Sequence, residues 1–351
     1  MKKTIISLCL ACLSTAALAQ SAPPPPAPHA LDFPALISGK ASHGAMLAIA
    51  RAGQRLVAAG ERGIVLYSDD HGADWKQAAT PTSVTLTTLR FVDEKRGWAV
   101  GHMGIVLRTD DGGSTWRKQL DGIQAAQLAF NTAHASGNEK AIRQATYLVT
   151  DGPDKPFFDA SIEPSGKGFV VGAYNLILRT LDGGKQWQDW SGHVDNPKNF
   201  HLYGIARTRD AIYLVGEQGL ILRSTDDGQH FAAQPSPYPG TWFGALSTAK
   251  GLLLYGLRGN AFLLPTKGGE WQQLETNTTA AISGASELAD GRLVLASQSG
   301  QLLLEQSARK FSPLAISSSS PLTAVIEDSG RNLKAASLRG VFSASTPSPN
   351  N

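Results

Sequence analysis

Hydrophobic residues in this chain fall in short continuous runs that return at a nearly constant spacing. Runs such as "TTLRFV" (87–92), "GWAVG" (97–101) and "IVLRT" (105–109) follow one another, separated by turns of polar residues and glycine. Continuous apolar runs, rather than strict alternation, are typical of strands that are buried on both faces. The pattern therefore predicts an all-β protein built from repeated small sheets.

The segment "VGHMGIVLRTDDGGSTW" (100–116) defines the repeat. Related segments occupy 59–75, 171–187 and 215–231, and more divergent ones occupy 255–271, 296–311 and 336–345. One residue directly precedes the third strand of each repeat, and successive ones are 41, 71, 44, 40, 41 and 40 positions apart. They are Gly63, Gly104, Asn175, Gly219, Gly259, Gly300 and Gly340. Seven such repeats with four strands each predict a seven-bladed β-propeller over 41–345.

The single long gap places an insertion at about 121–155, between blades 2 and 3. Its residues are rich in Ala, Gln, Glu, Lys and Leu, and "SGN" at 136–138 interrupts them, which predicts a short helical hairpin. The insertion follows a fourth strand, so we expect it on the face that carries the turns between second and third strands. It is either a decoration or part of a partner-binding surface.

Two turns recur with the repeat. In "G-x-x-G", between the second and third strands, we expect glycine to supply the positive φ of a tight hairpin. In [ST]-x-D-x-G-x-x-[WF], the Asp-box, the aspartate can accept hydrogen bonds from its own turn and the aromatic residue returns to the core. We predict structural roles, with the three tryptophans at equivalent buried positions, for Asp70, Asp111, Asp182, Asp226, Trp75, Trp116, Trp187 and Phe231.

The N-terminus has the pattern of a cleavable secretory signal over 1–19. Lys2 and Lys3 precede an apolar stretch, and "ALA" at 17–19 provides a small-residue cleavage site. A proline-rich tether and lead-in follow over 20–40, of which the proline-rich part, 21–30, should be extended and poorly packed; 346–351 form a tail. Both cysteines lie within the signal, which excludes a disulfide in the mature chain. We therefore expect a periplasmic protein without a membrane span after cleavage.

Charge and motif content exclude several classes of function. The formal net charge is +3, or +1 once Lys2 and Lys3 are lost with the signal, which argues against nucleic-acid partners. The eight histidines fall at different places in different repeats, without the spacing of a metal site. The sequence has no phosphate-binding or nucleophile motif in the strand–turn–helix setting that such motifs require. We expect no catalytic residue, no metal and no cofactor.

The variable residues inside the "G-x-x-G" turns should surround one mouth of the central channel. This mixed ring is a candidate docking surface, although such turns are exposed and polar in any propeller. The candidates are Glu61, Arg62, His102, Tyr174, Glu217, Arg258 and Arg339. A second candidate set comprises Arg108, Arg179 and Arg223 of the third strands. They either pair with box aspartates of neighbouring turns or form a basic patch for an acidic partner segment.

The combined pattern "VG..G.ILRT.DGG..W" resembles the photosystem II stability and assembly factor family, with BNR-like repeats, and especially its periplasmic relatives in non-photosynthetic bacteria. The resemblance covers roughly 45–345. It implies a non-enzymatic factor that assists the assembly of a membrane protein complex, with arginines at 108, 179 and 223. We expect the protein to be a monomer. Tyr67 and Leu263 replace that arginine in copies one and five.

The helical insertion departs from the plant-type pattern, so an envelope complex is a better expectation than a photosystem. An exporter of the resistance-nodulation-division type is one candidate partner. The alternative, from a different class, is a glycan-binding protein or a sialidase-like glycoside hydrolase, which would need paired carboxylates across a cleft.

Overall fold

The computed structural model describes residues 30–307, 309–314, 316 and 320–345. Over this part of the chain the protein is a seven-bladed β-propeller, as the repeats predicted. Each blade is an antiparallel sheet whose strands follow one another in sequence from the centre outward. The first strand of each blade packs against the first strand of the next, and the last blade packs against the first. The predicted signal and the tail lie outside the described residues.

The first three blades flank the helical insertion. Blade 1 consists of β1 (Met46–Ala52), β2 (Arg55–Gly60), β3 (Val65–Ser68) and β4 (Lys76–Gln77). Blade 2 consists of β5 (Leu86–Phe91), β6 (Gly97–Gly101), β7 (Val106–Thr109) and β8 (Arg117–Leu120). Blade 3 consists of β9 (Phe157–Ile162), β10 (Gly168–Gly172), β11 (Ile177–Thr180) and β12 (Gln188–Asp189).

The remaining blades complete the ring. Blade 4 consists of β13 (Leu202–Arg207), β14 (Ile212–Gly216), β15 (Ile221–Ser224) and β16 (Ala232–Ala233). Blade 5 consists of β17 (Trp242–Thr248), β18 (Gly251–Gly256), β19 (Ala261–Pro265) and β20 (Gln272–Gln273). Blade 6 consists of β21 (Ile282–Glu287), β22 (Leu293–Ser297), β23 (Leu302–Ser307) and β24 (Lys310–Pro313).

Blade 7 consists of β25 (Leu322–Glu327), β26 (Asn332–Ser337) and β27 (Gly340–Ser345). The fourth strand that the repeat predicts for blade 7 would follow β27 and lies outside the described residues.

The hydrophobic core is divided among the interfaces between blades. Val57 of blade 1 packs with Leu89 of blade 2, and Trp98 of blade 2 packs with Val170 of blade 3. Equivalent clusters lie at the following interfaces, and one containing Met46 joins blade 7 to blade 1. Each buried side chain contributes roughly 1.5–3 kcal/mol. A blade is therefore stabilised mainly by its two neighbours.

A β-bulge near the start of every first strand turns one side chain out of the regular register. The bulged residues are Leu47, Thr87, Phe158, Tyr203, Phe243, Ser283 and Thr323. Three of them donate to the first strand of the next blade: Thr87 to the Phe157 carbonyl (2.8 Å), Ser283 to Leu322 (2.6 Å) and Thr323 to Met46 (2.7 Å). These hydroxyls link adjacent blades at the channel.

The "G-x-x-G" turns differ from the expected hairpins. In blade 1 this turn is a single 3₁₀ turn, Glu61–Gly63. The backbones of both Arg62 (φ 52°) and Gly63 (φ 71°) are in the left-handed region. The first glycine, Gly60, is instead extended, and a Cβ there would collide with the Ala45 carbonyl. The first glycine is thus required for close approach rather than for positive φ.

The insertion forms the predicted hairpin of α1 (Gly122–Ser136) and α2 (Glu139–Thr150). Asp121 and Gln124 form a capping box that begins α1, and left-handed Gly137 ends it. In the part of the chain that the structure describes, no helix has the length and apolar character needed to cross a membrane.

Residues 30–45 form a strap along blade 1, which we call the N-terminal strap. The Ala30 carbonyl accepts from the Ser83 amide at 3.0 Å, and the Ala35 amide donates to the Thr80 carbonyl at 3.1 Å. Leu31 is buried, and the far end of the strap packs against β27. The described part of the predicted lead-in is therefore attached to the ring.

Candidate functional site

The propeller has two unlike faces. Because successive strands alternate in direction, the 3₁₀ turns and the linkers between blades share one face, which we call the turn face. The Thr80 hydroxyl of one linker donates to the Gly63 carbonyl at 2.6 Å, which joins these features directly. The opposite face, which we call the box face, carries the [ST]-x-D-x-G-x-x-[WF] turns and the hairpins between first and second strands.

Each described box aspartate closes its own turn. The Thr109 hydroxyl donates to Asp111 at 2.8 Å and accepts from the Gly113 amide at 2.9 Å, and the Thr115 amide donates to Asp111 at 3.0 Å. Equivalent contacts surround Asp70, Asp182 and Asp226. Burial opposes ionisation of Asp111, but these hydrogen bonds outweigh it and hold its pKa below the usual value. The carboxylates are engaged in local structure.

The box aromatics pack against the preceding blade. Trp116, Trp187 and Phe231 are buried, with exposed fractions of 7%, 6% and 1%. Trp75 is only half-buried, so the prediction that it is equivalent to the other tryptophans is wrong. The Trp116 amide donates to the Ala79 carbonyl at 3.2 Å, just beyond β4 of the preceding blade. No bond of this kind is present for the Trp75 amide, or for the amide of the buried Trp187, in the described residues.

The third-strand arginines lie toward the box face. Arg108 forms an ion pair with Asp110 at 2.6 Å and donates to the Gly183 carbonyl of the next box turn at 3.1 Å. Arg179 is buried and stacks over the Trp190 ring at 4.5 Å. Arg108 therefore bonds to the backbone of the next box turn and not to the box aspartate of that turn.

Arg223 is exposed, unlike the other two third-strand arginines. It lies 6.0 Å from the Tyr213 ring and lines a cleft of about 800 Å³ between blades 4 and 5. The structure thus does not bring the three arginines into one equivalent environment.

On the turn face, Arg62, Arg258 and Arg339 each occupy the second variable position of a turn. All three are exposed, and no side-chain hydrogen bond or ion pair holds them within the described part of the chain. They belong to blades 1, 5 and 7, so they form a basic arc on one side of the ring. His102 and Tyr174, in blades 2 and 3, are also exposed and lie on the other side.

The two glutamates of the predicted ring are engaged within the protein. Glu61 accepts from the Ala45 amide at 3.0 Å. Glu217 accepts from the His201 amide at 2.8 Å and contacts the His201 ring nitrogen at 2.7 Å. Both carboxylates therefore hold the chain that leads into a first strand, and neither forms an ion pair with an arginine of the basic arc in the described residues.

The helical hairpin rises beside these turns, as the chain direction predicted. Gly122 of α1 packs against the turn at Gly104. A cleft of about 840 Å³ separates the hairpin from blade 3, and Tyr147 and Tyr174 are exposed at its edges. Burial raises the pKa of Asp189, one of the cleft residues. The cleft joins the insertion and the turn ring into one surface.

Sequence reasoning missed an aromatic arc at the channel mouth, made of the bulged residues Phe158, Tyr203 and Phe243. Ring centroids are 4.7 Å apart for Phe158 and Tyr203, and 5.7 Å for Tyr203 and Phe243. His201 stacks between this arc and Tyr174, whose centroid is 4.6 Å away. An alignment of the repeats at the bulge would have shown an aromatic residue in each of blades 3, 4 and 5, where blades 2, 6 and 7 have a hydroxyl side chain.

A charged pair joins the first strands of blades 2 and 3. Arg90 and Asp159 lie 2.6 Å apart, and Asp159 also accepts from the Ile205 amide. Burial raises the pKa of Asp159 even though Arg90 opposes the shift. Across the residues described, no group of three or more His, Cys, Asp or Glu side chains has the geometry of a metal site.

Comparisons with solved structures agree on the architecture. "YCF48 bound to D1 peptide" superposes with a TM-score of 0.62 at 15% identity, covering 90% of this chain and 100% of that one. YCF48 from Cyanidioschyzon merolae superposes with a TM-score of 0.62 at 14% identity, covering 86% of this chain and 95% of that one. Virginiamycin B lyase from Staphylococcus aureus superposes with a TM-score of 0.67 at 13% identity, covering 88% of this chain and 97% of that one. At such identities the likeness establishes the fold alone.

Sequence comparison is more specific. A curated relative, "Photosystem II assembly lipoprotein Ycf48" from Synechococcus sp. (strain CC9902), is 28% identical over 145 residues, or 40% of this chain and 44% of that protein. The chain thus spans less than half the length of this relative. The model of the family "Photosynthesis system II assembly factor YCF48" matches residues 68–154 and 144–314. Because these matches cover most of the chain, the protein belongs to the Ycf48 family of assembly factors.

Proposed function

We propose that this protein is a non-enzymatic binding factor that assists the assembly of a membrane protein complex, and that it acts through its turn face. Family membership supports an assembly role, and one structural relative is described as bound to a peptide, D1. The finer proposal is a periplasmic location after loss of residues 1–19, with an envelope complex as partner. An exporter of the resistance-nodulation-division type is the first candidate to test.

The observation that carries the proposal is the basic arc. Arg62, Arg258 and Arg339 are exposed and lack side-chain partners in the described part of the chain, whereas Glu61 and Glu217 accept from the backbone amides of Ala45 and His201. Guanidinium groups pair readily with carboxylates and are common at the centre of protein interfaces. An acidic segment of a partner would satisfy this arc.

The other half of the turn face offers apolar contacts. The aromatic arc and Tyr174 line the channel mouth, and the hairpin cleft continues this surface outward. Aromatic residues contribute large contact areas at little cost in side-chain entropy. A partner segment that combines acidic and apolar side chains would therefore span both halves of the face.

Affinity capture from crosslinked envelopes tests the proposal. The variant carries Arg62→Ala, Arg258→Ala and Arg339→Ala. The matched control replaces three exposed arginines of the box face, Arg51, Arg117 and Arg209. We expect the turn-face variant to lose the captured membrane protein and the control to keep it, with unchanged melting for both.

The competing site is the third-strand set. Charge reversal at Arg223, which is exposed, should leave capture intact. Loss of capture by a folded Arg223→Glu variant, together with normal capture by the turn-face variant, would assign the partner to the box face and overturn the proposed site.

A further inference from the structure

The helical hairpin covers an acidic side chain at a position that the other blades leave open to water. Asp189 lies on β12, which packs beneath α1, and only 8% of it is exposed. The corresponding residues of blades 1, 2, 4 and 5 are partly or fully exposed; they are Gln77, Lys118, Ala233 and Gln273. The burial of this carboxyl group is therefore a product of the insertion.

The Asp189 carboxyl group has no cationic partner among the residues described. It accepts from the Ser191 hydroxyl at 3.0 Å and from the Ser191 amide at 3.5 Å. Burial raises its pKa because these two contacts do not offset the loss of water. An ionised carboxylate in such a place is costly unless a positive charge compensates it.

The cations nearest to this carboxyl group are engaged elsewhere or point into solvent. The Lys155 ammonium forms an ion pair with Asp151 at 3.1 Å. The His193 ring stacks on Trp190 with centroids 3.9 Å apart, and its Nδ1 contacts a backbone carbonyl of blade 4 at 2.8 Å. Lys140, at the start of α2, is exposed. The described part of the chain thus leaves the charge uncompensated.

The rest of the chain does not supply a basic side chain either. Apart from the predicted signal, the segments outside the described residues contain no lysine or arginine; they are 20–29, 308, 315, 317–319 and 346–351. His29 and the α-amino group left by signal cleavage are the titratable cations there. A lysine or arginine beside Asp189 must therefore come from another molecule.

The cleft above Asp189 has room for such a side chain. Its volume of about 840 Å³ is within the range of ligand-binding pockets. Small residues of the hairpin leave this space open; among those that line it are Ala129, Ala133, Ala141 and Ala145. Tyr147 and Tyr174 are exposed at its edges, and the face of an aromatic ring attracts a cation.

The wall of the cleft opposite the hairpin is preformed. Asn175 takes the place of the glycine found in the other six repeats and has a left-handed backbone, with φ 64°. Its side chain accepts from Asn196 at 3.0 Å, and Asn196 also donates to the Phe200 carbonyl at 2.8 Å. Because both amides are held by these bonds, the wall needs no rearrangement to receive a ligand.

We propose that the hairpin cleft binds a lysine or arginine side chain of a partner protein, with Asp189 as its counter-ion. Charge-assisted hydrogen bonds of this kind are stronger than neutral ones. The inference rests on the proposed function and deepens it. The bound segment would be acidic where it meets the basic arc and basic where it enters the cleft, which fixes its direction across the turn face.

The test measures the cleft alone, with purified protein and short capped peptides. Acetyl-Ala-Leu-Arg-Leu-Ala-amide is titrated in a calorimeter, and the matched probe carries citrulline, which has nearly the same shape as arginine without its charge. We expect saturable binding of the arginine peptide and about tenfold weaker binding of the citrulline peptide. A photoreactive arginine peptide should crosslink to α2 or to residues 174–199.

Matched variants assign the charge. Asp189→Asn preserves the size of the side chain and should weaken binding of the arginine peptide about tenfold, while binding of the citrulline peptide stays the same. Asp210→Asn removes a negative charge from an exposed position of the box face and should change neither affinity. If Asp189→Asn fails to fold, the comparison of the two peptides on the unaltered protein decides.

Four results overturn the proposal. They are absence of saturable binding up to about 1 mM, equal binding of the citrulline peptide, crosslinks outside the cleft, and tighter binding of putrescine, a free diamine, than of the arginine peptide. Binding that appears only after deletion of 20–29 also overturns it, because the chain's own segment would then fill the cleft. Each of these leaves the basic arc untouched, whereas intact peptide binding with normal capture by the turn-face variant refutes the arc alone.

Discussion

Trp116 and Trp75 occupy the same position in their repeats but not the same environment. Trp116 has a fourth strand of the preceding blade beside it and is buried, while Trp75 faces the described three-stranded blade 7 and is half-exposed. The motif could predict the direction of both side chains, because turn chemistry is local. It could not predict the burial of Trp75, because that burial depends on packing against blade 7, around Ala336, more than 250 positions away in sequence.

Replacing Trp116 with alanine should lower the free energy of unfolding by roughly 3–5 kcal/mol, because it leaves a cavity between blades 1 and 2. Trp75→Ala should cost clearly less, since part of its indole already contacts water. Denaturant unfolding of both variants measures the difference. Equal losses would show that the two positions are packed alike.

The box aspartates should make stability depend on acid pH. The pKa of Asp111 is lowered in the fold from its ordinary value of 3.8, so its contribution is complete above that pH and is lost as the pH falls below it. Asp111→Asn should cost about 1 kcal/mol at neutral pH and flatten the decline of unfolding free energy below about pH 4.

Chemical denaturation from neutral pH down to about pH 2 measures this dependence, which is set by the lowered pKa. Asp210→Asn serves as the control, because Asp210 is exposed and makes no hydrogen bond in the described structure. A parallel decline in wild type and Asp111→Asn would contradict the role assigned to the box.

At the scale of elements, the helical hairpin was predictable and the aromatic arc was not. Composition and the "SGN" break indicate two helices, and the Asp121 capping box is legible in the sequence. The arc of Phe158, Tyr203 and Phe243 depends on a bulge that turns one residue toward the channel. A one-residue change of register is invisible to hydrophobic periodicity in strands buried on both faces.

Deleting 122–150 and joining the ends with a short glycine linker should leave the propeller folded, because the blades bury their cores against one another. We expect circular dichroism to lose helical signal only, and partner capture to drop sharply. A folded deletion variant that captures the partner at the wild-type level would show that the hairpin does not contribute to binding.

For the whole molecule, the repeat spacing was sufficient to predict seven blades, but not how the ring closes. The last repeat, "ASLRGVFSAS", reads as an ordinary pair of strands and lacks the box. In the structure the junction between blades 7 and 1, which we call the seam, is bonded by the Thr323 hydroxyl to the Met46 carbonyl at 2.7 Å, and His71 of blade 1 lies 3.9 Å from Asp328. The fold does not by itself identify the activity, since a lyase shares the same ring.

Lys334→Met should lower the free energy of unfolding by roughly 3–5 kcal/mol, because it leaves the fully buried Asp328 carboxylate without its cation. Adding Asp328→Leu should restore much of that loss, as apolar replacement of a buried pair often does. Thermal melts of the single and double variants measure both effects. A double variant as unstable as the single one would contradict the role assigned to the buried charge pair.

The seam has a consequence for the order in which the protein folds. Every blade is contiguous in sequence, so contacts within blades and between successive blades form between nearby residues and are kinetically favoured. Contacts across the seam, such as Thr323 with Met46, join residues 277 positions apart and carry the largest loop-closure cost. Ring closure should therefore come last. Because blade 1 is synthesised first, its apolar surface that contacts blade 7 stays exposed to the folding machinery until blade 7 has folded.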